Sequence, residues 1–133
     1  KVPVVVSIVG EGGSGGALGL AIGDSILMQE FAIYSVIPPE DCAAILWRDS
    51  NQKVEAAKAL KISAPELLEL GVVDTIINEP CGGAHADQNQ AAVLVDKVLS
   101  ATLDELDRDS IETRLAKRYE KFRRMGNVGL SNS

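Results

Sequence analysis

A glycine-rich stretch between two apolar segments constrains the fold of this chain more than any other feature. An apolar run rich in β-branched residues, Val2 to Val9, leads into Gly10-Glu11-Gly12-Gly13-Ser14-Gly15-Gly16-Ala17-Leu18. The segment from Ala17 to Ile22 then favours a helix. We therefore expect a buried strand, a glycine turn and a helix whose first N–H groups point at whatever lies above them. Glycine also lets a ligand approach the backbone closely.

Three motifs overlap in this stretch and predict different chemistry. Residues 10–15 fit the dinucleotide fingerprint G-x-G-x-x-G, with Glu30 fifteen residues after the last glycine. Residues 12–16 fit the nucleophile elbow G-x-S-x-G around Ser14, and Asp74 and His85 follow in the hydrolase order. The third interpretation is an oxyanion hole made of paired glycine N–H groups. A tight turn without chemistry is the fourth, and five glycines in seven residues exceed what a turn needs.

Composition limits the class of protein. The chain has 133 residues, of which 46% are hydrophobic and 24% charged, which predicts one small globular domain. No apolar run reaches membrane-spanning length and no signal-peptide pattern opens the chain, so we expect no membrane partner. A core strand that begins at residue 2 predicts that sequence upstream is missing.

Charge and cysteine content exclude two further kinds of site. Residues 1–107 carry 6 Lys and Arg against 16 Asp and Glu, whereas residues 108–133 carry 7 against 3. The acidic body argues against nucleic acid as a partner, and the basic end predicts a docking helix. Cys42 and Cys81 lack metal-ligand spacing, and with one histidine we expect reduced thiols and no metal in this chain.

The rest of the sequence predicts an α/β layered domain of short strands and helices. Ser63 and Glu66 are spaced as a capping box, and Gly71 ends the helix that they begin. The expected strands are Ser25–Gln29, Ala32–Ile37 and Val72–Ile77. The further expected helices run from Pro39 to Trp47, Lys53 to Leu60, Asp87 to Leu106 and Ile111 to Met125. We expect a loop from Asn78 to His85 and a frayed end from Gly126 to Ser133.

Several segments together closely resemble a known family. They are residues 4–8 and 10–18, then Tyr34-Ser35-Val36-Ile37, Pro39-Glu40, Cys42-Ala43, Ile45-Leu46-Trp47, Glu79-Pro80 and Gly82-Gly83-Ala84-His85. Over about residues 1–125 they resemble the C-terminal part of the carboxyltransferase alpha subunit of bacterial and plastid acetyl-CoA carboxylase. Pro38 and Asp41 depart from the pattern, which has a serine and a glycine there.

The resemblance implies a fold, a reaction and partners. The fold is a crotonase-like (ClpP/crotonase) ββα spiral, partial here, with C-terminal helices: residues 1–107 belong to the carboxyltransferase domain and residues 108–133 form a basic helix and tail. The reaction moves a carboxyl group from carboxybiotin, on a biotin carboxyl carrier protein, to acetyl-CoA. It gives malonyl-CoA for fatty acid synthesis, in the cytoplasm or plastid stroma. The implied partner is a carboxyltransferase beta subunit in an alpha2beta2 assembly, and any zinc ribbon belongs to beta.

The resemblance also assigns roles to the glycines. The beta subunit supplies an oxyanion hole for the acetyl-CoA enolate, and the alpha subunit supplies another for the biotin ureido oxygen. We expect the N–H groups of Gly15 and Gly16 to form the second hole, with Gly12 and Gly13 shaping the loop on the carboxybiotin side. One such donor contributes roughly 2.7–4 kcal/mol in known oxyanion holes. Released biotin can itself take the proton from the acetyl methyl, so no side-chain base is required.

Other interpretations stay open at this point. Glu11 and His85 each fit either the site or a structural role, and the basic helix fits CoA phosphates, an acidic partner or a solvated face. A different crotonase-like acyl-CoA enzyme, such as a hydratase, would need acidic residues at the mouth of its pocket. A non-catalytic, truncated assembly module is the remaining alternative.

Overall fold

The computed structural model describes residues 1–126, which begin with two successive strand–strand–helix units. The first unit consists of strand β1 (Val5–Ile8), strand β2 (Glu11–Gly13) and helix α1 (Ser14–Gly19). The second consists of strand β3 (Ser25–Gln29), strand β4 (Ile33–Ser35) and helix α2 (Pro39–Trp47). The chain therefore repeats one local pattern before its helical second half.

The two units build two small parallel sheets. The first strands of the units pair with each other, Val5 opposite Ser25, and the second strands pair likewise, Glu11 opposite Ile33. Strand β5 (Thr75–Ile77) joins the first sheet beside β3, which gives the order β1-β3-β5. Parallel pairing places the carboxyl ends of β1, β3 and β5 at one edge of the sheet.

Helices make up the remainder of the described chain. A 3₁₀ turn (Ser50–Gln52) precedes α3 (Lys53–Leu60), which α4 (Ala64–Glu69), α5 (Gln88–Leu106) and α6 (Ile111–Arg124) follow. The capping box of Ser63 and Glu66 is confirmed at the start of α4, and Gly71 follows its end with φ +69°. Within residues 1–126, no helix has both the length and the apolar character that a membrane crossing requires.

The core forms around the central strand β3. Its residues Ile26, Leu27 and Met28 are almost completely buried, together with Val73 and Ile77 beside them. A strand with partners on both sides and packing on both faces needs apolar side chains along its centre, because it has no solvated face. That requirement explains why Ser25–Gln29 was recognisable from sequence to the residue.

Other element boundaries differ from the sequence-based expectations. Strand β1 covers only Val5–Ile8, and Val2 and Val9 are exposed. The prediction of a helix from Ala17 to Ile22 was wrong in its limits, because α1 begins at Ser14 and ends at Gly19. Beyond it the chain turns back toward β3 at Gly23, where a Cβ would lie 3.0 Å from the carbonyl oxygen of Val4. The expected fraying falls almost wholly on residues 127–133, which lie outside the described residues.

The basic helix α6 packs on the sheet edge where the strands begin. Arg118 pairs with Asp24, just before β3, and Lys121 pairs with Asp74, just before β5. Buried Arg114 donates to the carbonyl oxygens of Leu106 and Lys1, at 3.2 and 3.0 Å. Three basic side chains of α6 therefore form contacts within the chain itself.

Candidate functional site

The glycine stretch contains a strand in place of the expected continuous turn. Glu11–Gly13 form β2, and Gly13 is the extended residue (φ −143°) that precedes α1. Gly15 and Gly16 are the second and third residues of that helix, so no carbonyl within α1 is available to their N–H groups. Elsewhere in residues 1–126 no acceptor reaches them, and both residues are exposed. Two adjacent N–H donors are therefore unpaired within the described residues.

The positions that a side chain would occupy at these two glycines are open. A Cβ built on Gly15 would meet nothing within 4 Å, and one on Gly16 would meet only Leu20 Cδ1, at 3.9 Å. Neither glycine adopts a left-handed φ, whereas Ser14 beside them does, at φ +53°, and Gly10 earlier in the stretch does, at φ +80°. A left-handed φ therefore does not explain the glycine at position 15.

Gly12 and Gly13 differ in the space that their neighbours leave for a side chain. A Cβ on Gly12 would lie 2.9 Å from Cδ2 of Tyr34 and 3.3 Å from Cγ2 of Ile8, so a larger residue would force the ring to move. A Cβ on Gly13 would make an ordinary contact, 3.7 Å from the carbonyl oxygen of Ser35. Gly12 therefore shapes the loop by allowing the Tyr34 ring against its backbone.

Tyr34 has a structural role here that sequence reasoning did not assign. It lies in β4, beside β2, and its hydroxyl donates a hydrogen bond to the carbonyl oxygen of Ala17 in α1. Burial raises the pKa of the Tyr34 hydroxyl above its ordinary value, so the group stays a donor at neutral pH. The spacing of Tyr34 from the glycines gives no local signal of this contact, because the strand pairing creates it.

The hydrolase interpretation is wrong because its triad is not assembled. Asp74 precedes β5, where it accepts from the N–H of Ile26 at 2.6 Å and pairs with Lys121. His85 follows β5, at the other end of that strand, and packs against Gly83. Ser14 lies in the glycine stretch without either partner. A nucleophilic serine needs a base within hydrogen-bond reach, and this arrangement provides none.

The dinucleotide interpretation also fails on geometry. That motif requires a strand that passes directly through one glycine turn into a helix. Here β2 lies between β1 and α1. Glu30, the expected ribose ligand, instead accepts the backbone N–H of Glu79 at 3.3 Å. The paired-glycine interpretation stays a prediction, and the unpaired N–H groups of Gly15 and Gly16 are compatible with it.

The loop after β5 is organised by one carboxylate. Glu79 accepts from the N–H of Phe31 at 3.0 Å through Oε1 and from the N–H of Ala84 at 2.6 Å through Oε2. Gly83 is buried with φ +95°, a conformation that glycine adopts without strain. The loop borders a cavity of about 660 Å³ at the carboxyl ends of the strands, and His85 lines it. Glu11 is exposed and lies outside this network.

A larger, apolar cavity lies between α1 and α6. Its volume is about 800 Å³, with Ile26 and Leu67 in its wall and Leu18 and Phe122 from the two helices. No set of three or more His, Cys, Asp or Glu side chains in residues 1–126 comes together as metal ligands would.

Comparisons with known proteins agree with one another. A family model described as acetyl co-enzyme A carboxylase carboxyltransferase-like matches residues 1–126. The chain is similar to proteins named acetyl-coenzyme A carboxylase carboxyl transferase subunit alpha: 56% identical to that of Pyropia yezoensis over 95% of this chain, and 54% and 53% identical to those of Sorangium cellulosum and Acaryochloris marina over 94%. It spans 38–39% of the length of these relatives.

Proposed function

Because this chain belongs to the acetyl co-enzyme A carboxylase carboxyltransferase family, we propose that it carries the carboxybiotin side of the carboxyl-transfer site. The reaction is the transfer of a carboxyl group from carboxybiotin, on a carrier protein, to acetyl-CoA, which gives malonyl-CoA. The observation that carries this proposal is that Gly15 and Gly16 are two adjacent exposed residues whose N–H groups have no acceptor in residues 1–126 and whose Cβ positions are open.

The residues present fit a flat ring held close to the backbone. The position of a Cβ on Gly15 is empty to 4 Å, so a planar group can lie where a side chain would otherwise stand. When bound, carboxybiotin supplies the carboxyl group, and its ureido oxygen takes up negative charge as that group leaves. The N–H groups of Gly15 and Gly16 donate hydrogen bonds at that oxygen. Because both donors are held in the folded chain before carboxybiotin binds, they need little reorganisation during the reaction, and each contributes roughly 2.7–4 kcal/mol.

The other residues of and around the glycine stretch have structural roles, or no role, in this proposal. Gly12 admits the Tyr34 ring, and Gly13 ends β2 so that α1 begins at Ser14. We assign no proton transfer to Ser14 or His85. The proton from acetyl-CoA passes to the biotin side, so the chain needs fixed donors and no general base.

We assign the fold to the crotonase-like ββα spiral. The two strand–strand–helix units, with β1 paired to β3 and β2 paired to β4, support this assignment because successive turns of such a spiral stack strand on strand. The partners in the proposal are a carboxyltransferase beta subunit, which holds acetyl-CoA, and a biotin carboxyl carrier protein, in an alpha2beta2 assembly. The names of the relatives as alpha subunits support a multi-subunit assembly. The compartment is the cytoplasm or the plastid stroma.

The proposal is tested with the native polypeptide purified together with a carboxyltransferase beta subunit. Carboxylated carrier protein and acetyl-CoA are supplied, and malonyl-CoA is measured. We expect malonyl-CoA formation that depends on both subunits. Hydration of crotonyl-CoA is measured on the same complex, and hydration without carboxyl transfer would assign the chain to the hydratases instead.

A further inference from the structure

The Tyr34 side chain contacts the glycine stretch on both sides of Gly15 and Gly16. Its hydroxyl donates to the carbonyl oxygen of Ala17 in α1, and its ring lies so close to Gly12 in β2 that a Cβ there would be 2.9 Å from Cδ2. Tyr34 itself is fixed in β4, where its N–H donates to the carbonyl oxygen of Ile62 at 3.1 Å. One side chain therefore links the strand and the helix between which the donors lie.

Helix α1 needs such a link because its own sequence does not stabilise it. It has six residues, three of them glycines (Gly15, Gly16 and Gly19), and glycine is among the weakest helix formers. No side chain caps its N-terminus, and its first turn contains no acidic residue. A helix this short is unstable in isolation, so tertiary contacts decide where it lies. The contacts at Ala17 are its buried methyl group and the bond from Tyr34.

We propose that Tyr34 is a positioning residue for the carboxyl-transfer site. Its hydroxyl holds α1 and its ring holds β2, and together they set where the N–H groups of Gly15 and Gly16 point. This inference rests on the proposed function, because it concerns the same donors. Tyr34 touches no substrate in this role and acts only through the backbone. Donors stabilise developing charge only at the correct place, and a displacement of about 1 Å can cost roughly 100-fold in rate.

The first test replaces Tyr34 with phenylalanine in the native alpha–beta complex. Tyr34→Phe keeps the ring and removes the hydroxyl, so we expect kcat for malonyl-CoA formation to fall roughly 10- to 100-fold. The KM for acetyl-CoA stays unchanged, since the beta subunit holds that substrate. Tyr119→Phe is the matched control: Tyr119 is 67% exposed, its hydroxyl makes no hydrogen bond in the described chain, and wild-type kinetics are expected.

A double-mutant cycle separates positioning from general stability. Gly16→Pro removes one of the two donors, so Tyr34→Phe should cost much less in the Gly16→Pro background than in wild type. Multiplicative losses would overturn the proposal, because they would mean that Tyr34 acts elsewhere. Gly12→Ala, which displaces the ring and keeps the hydroxyl, supplies a second variant with the same expected fall in kcat, and it decides the matter if Tyr34→Phe does not assemble.

The outcomes distinguish this inference from the proposed function. A wild-type complex that makes no malonyl-CoA overturns the proposed function and this inference with it. A wild-type complex that is active, with Tyr34→Phe turning over at the same rate, overturns only the role of Tyr34. In a third outcome, the activity per total protein falls only because less complex folds, and kcat per folded complex keeps its wild-type value. That result would assign Tyr34 to stability alone.

Discussion

Arg118 and Asp24 form a two-point ion pair that joins the last described helix to the start of β3. Arg118 Nε lies 2.8 Å from Asp24 Oδ1, and its Nη2 lies 2.5 Å from Oδ2. The Asp24 side chain is only 2% exposed, and Oδ2 also accepts the N–H of Val4 at 2.8 Å. Residues 94 positions apart in sequence are thereby connected, and β1 is tied to the same carboxylate.

This pair predicts a loss of stability in acid. Burial by itself raises the pKa of Asp24, but the hydrogen bonds from Arg118 and Val4 and the positive charges of Arg118 and Arg114 outweigh it, so the pKa is lowered from 3.8. A lowered folded-state pKa stabilises the protein fully above the unfolded-state value, and the contribution disappears as pH falls through the folded-state pKa. We expect the free energy of unfolding to decrease as the pH falls below about 4.

The measurement is denaturant unfolding of the native complex across that pH range, with Asp24→Asn as the test. The variant should be less stable at neutral pH and should show a flatter pH dependence than wild type. Asp104→Asn is the control, because Asp104 is exposed and makes no ion pair in residues 1–126. An unchanged pH profile for Asp24→Asn would assign the acid sensitivity to other carboxylates.

Gly16→Pro and Gly15→Ala should both impair the proposed site, the first through the reaction rate and the second through the affinity for biotin. Proline in the first turn of α1 removes the N–H of Gly16 while the helix can keep its course, so we expect a loss in rate of roughly 100- to 1,000-fold. Gly15→Ala keeps its N–H and places a methyl group in open space, so folding should be normal and the affinity for biotin should fall. Rates and biotin affinity in the complex measure both; near wild-type turnover by folded Gly16→Pro would move the assignment to another glycine.

Ser14→Ala should retain most of the carboxyltransferase activity. The hydroxyl has no catalytic partner, because Asp74 and His85 lie at opposite ends of β5. The complex is assayed for malonyl-CoA formation, and circular dichroism confirms folding. A loss of several thousand-fold in a folded variant would restore a nucleophilic role for Ser14. Ser14→Gly provides a comparison that relieves the left-handed φ of +53° without restoring a hydroxyl.

The 133-residue chain by itself should lack carboxyltransferase activity and should self-associate. Within residues 1–126, β1 is an edge of its sheet, with one side of its backbone unpaired. Such an edge can pair with another copy. Size-exclusion chromatography and a malonyl-CoA assay on the isolated chain test both statements. A monodisperse monomer that carboxylates acetyl-CoA from a free biotin donor would contradict them.

Local sequence patterns predicted β3 and the start of α4 well, because an apolar run and a capping box are each formed by residues close together in sequence. They missed β2, since Glu11-Gly12-Gly13 has almost no intrinsic strand preference and forms a strand only against Ile33–Ser35. They also missed the anchoring of α1 by Tyr34 and of α6 by Asp24. The position of Gly15 and Gly16 at the start of a helix was predicted from sequence, whereas the contacts that hold that helix depend on residues distant in the chain.

The pairing of the two units sets a length requirement as well as a sequence requirement. β1 and β3 align with an offset of 20 residues, Val5 with Ser25, and Gly23 fits between them with a Cβ position only 2.9 Å from Val6 Cγ2. A one-residue insertion or deletion between Gly19 and Ser25 would have to shift this register, and a shift of one residue turns every side chain of a strand to the opposite face. Insertions and deletions should therefore be tolerated in the loops between the later helices. Between Gly19 and Ser25 they should disrupt folding, because the number of residues there determines how β1, and the glycine stretch that follows it, aligns with β3.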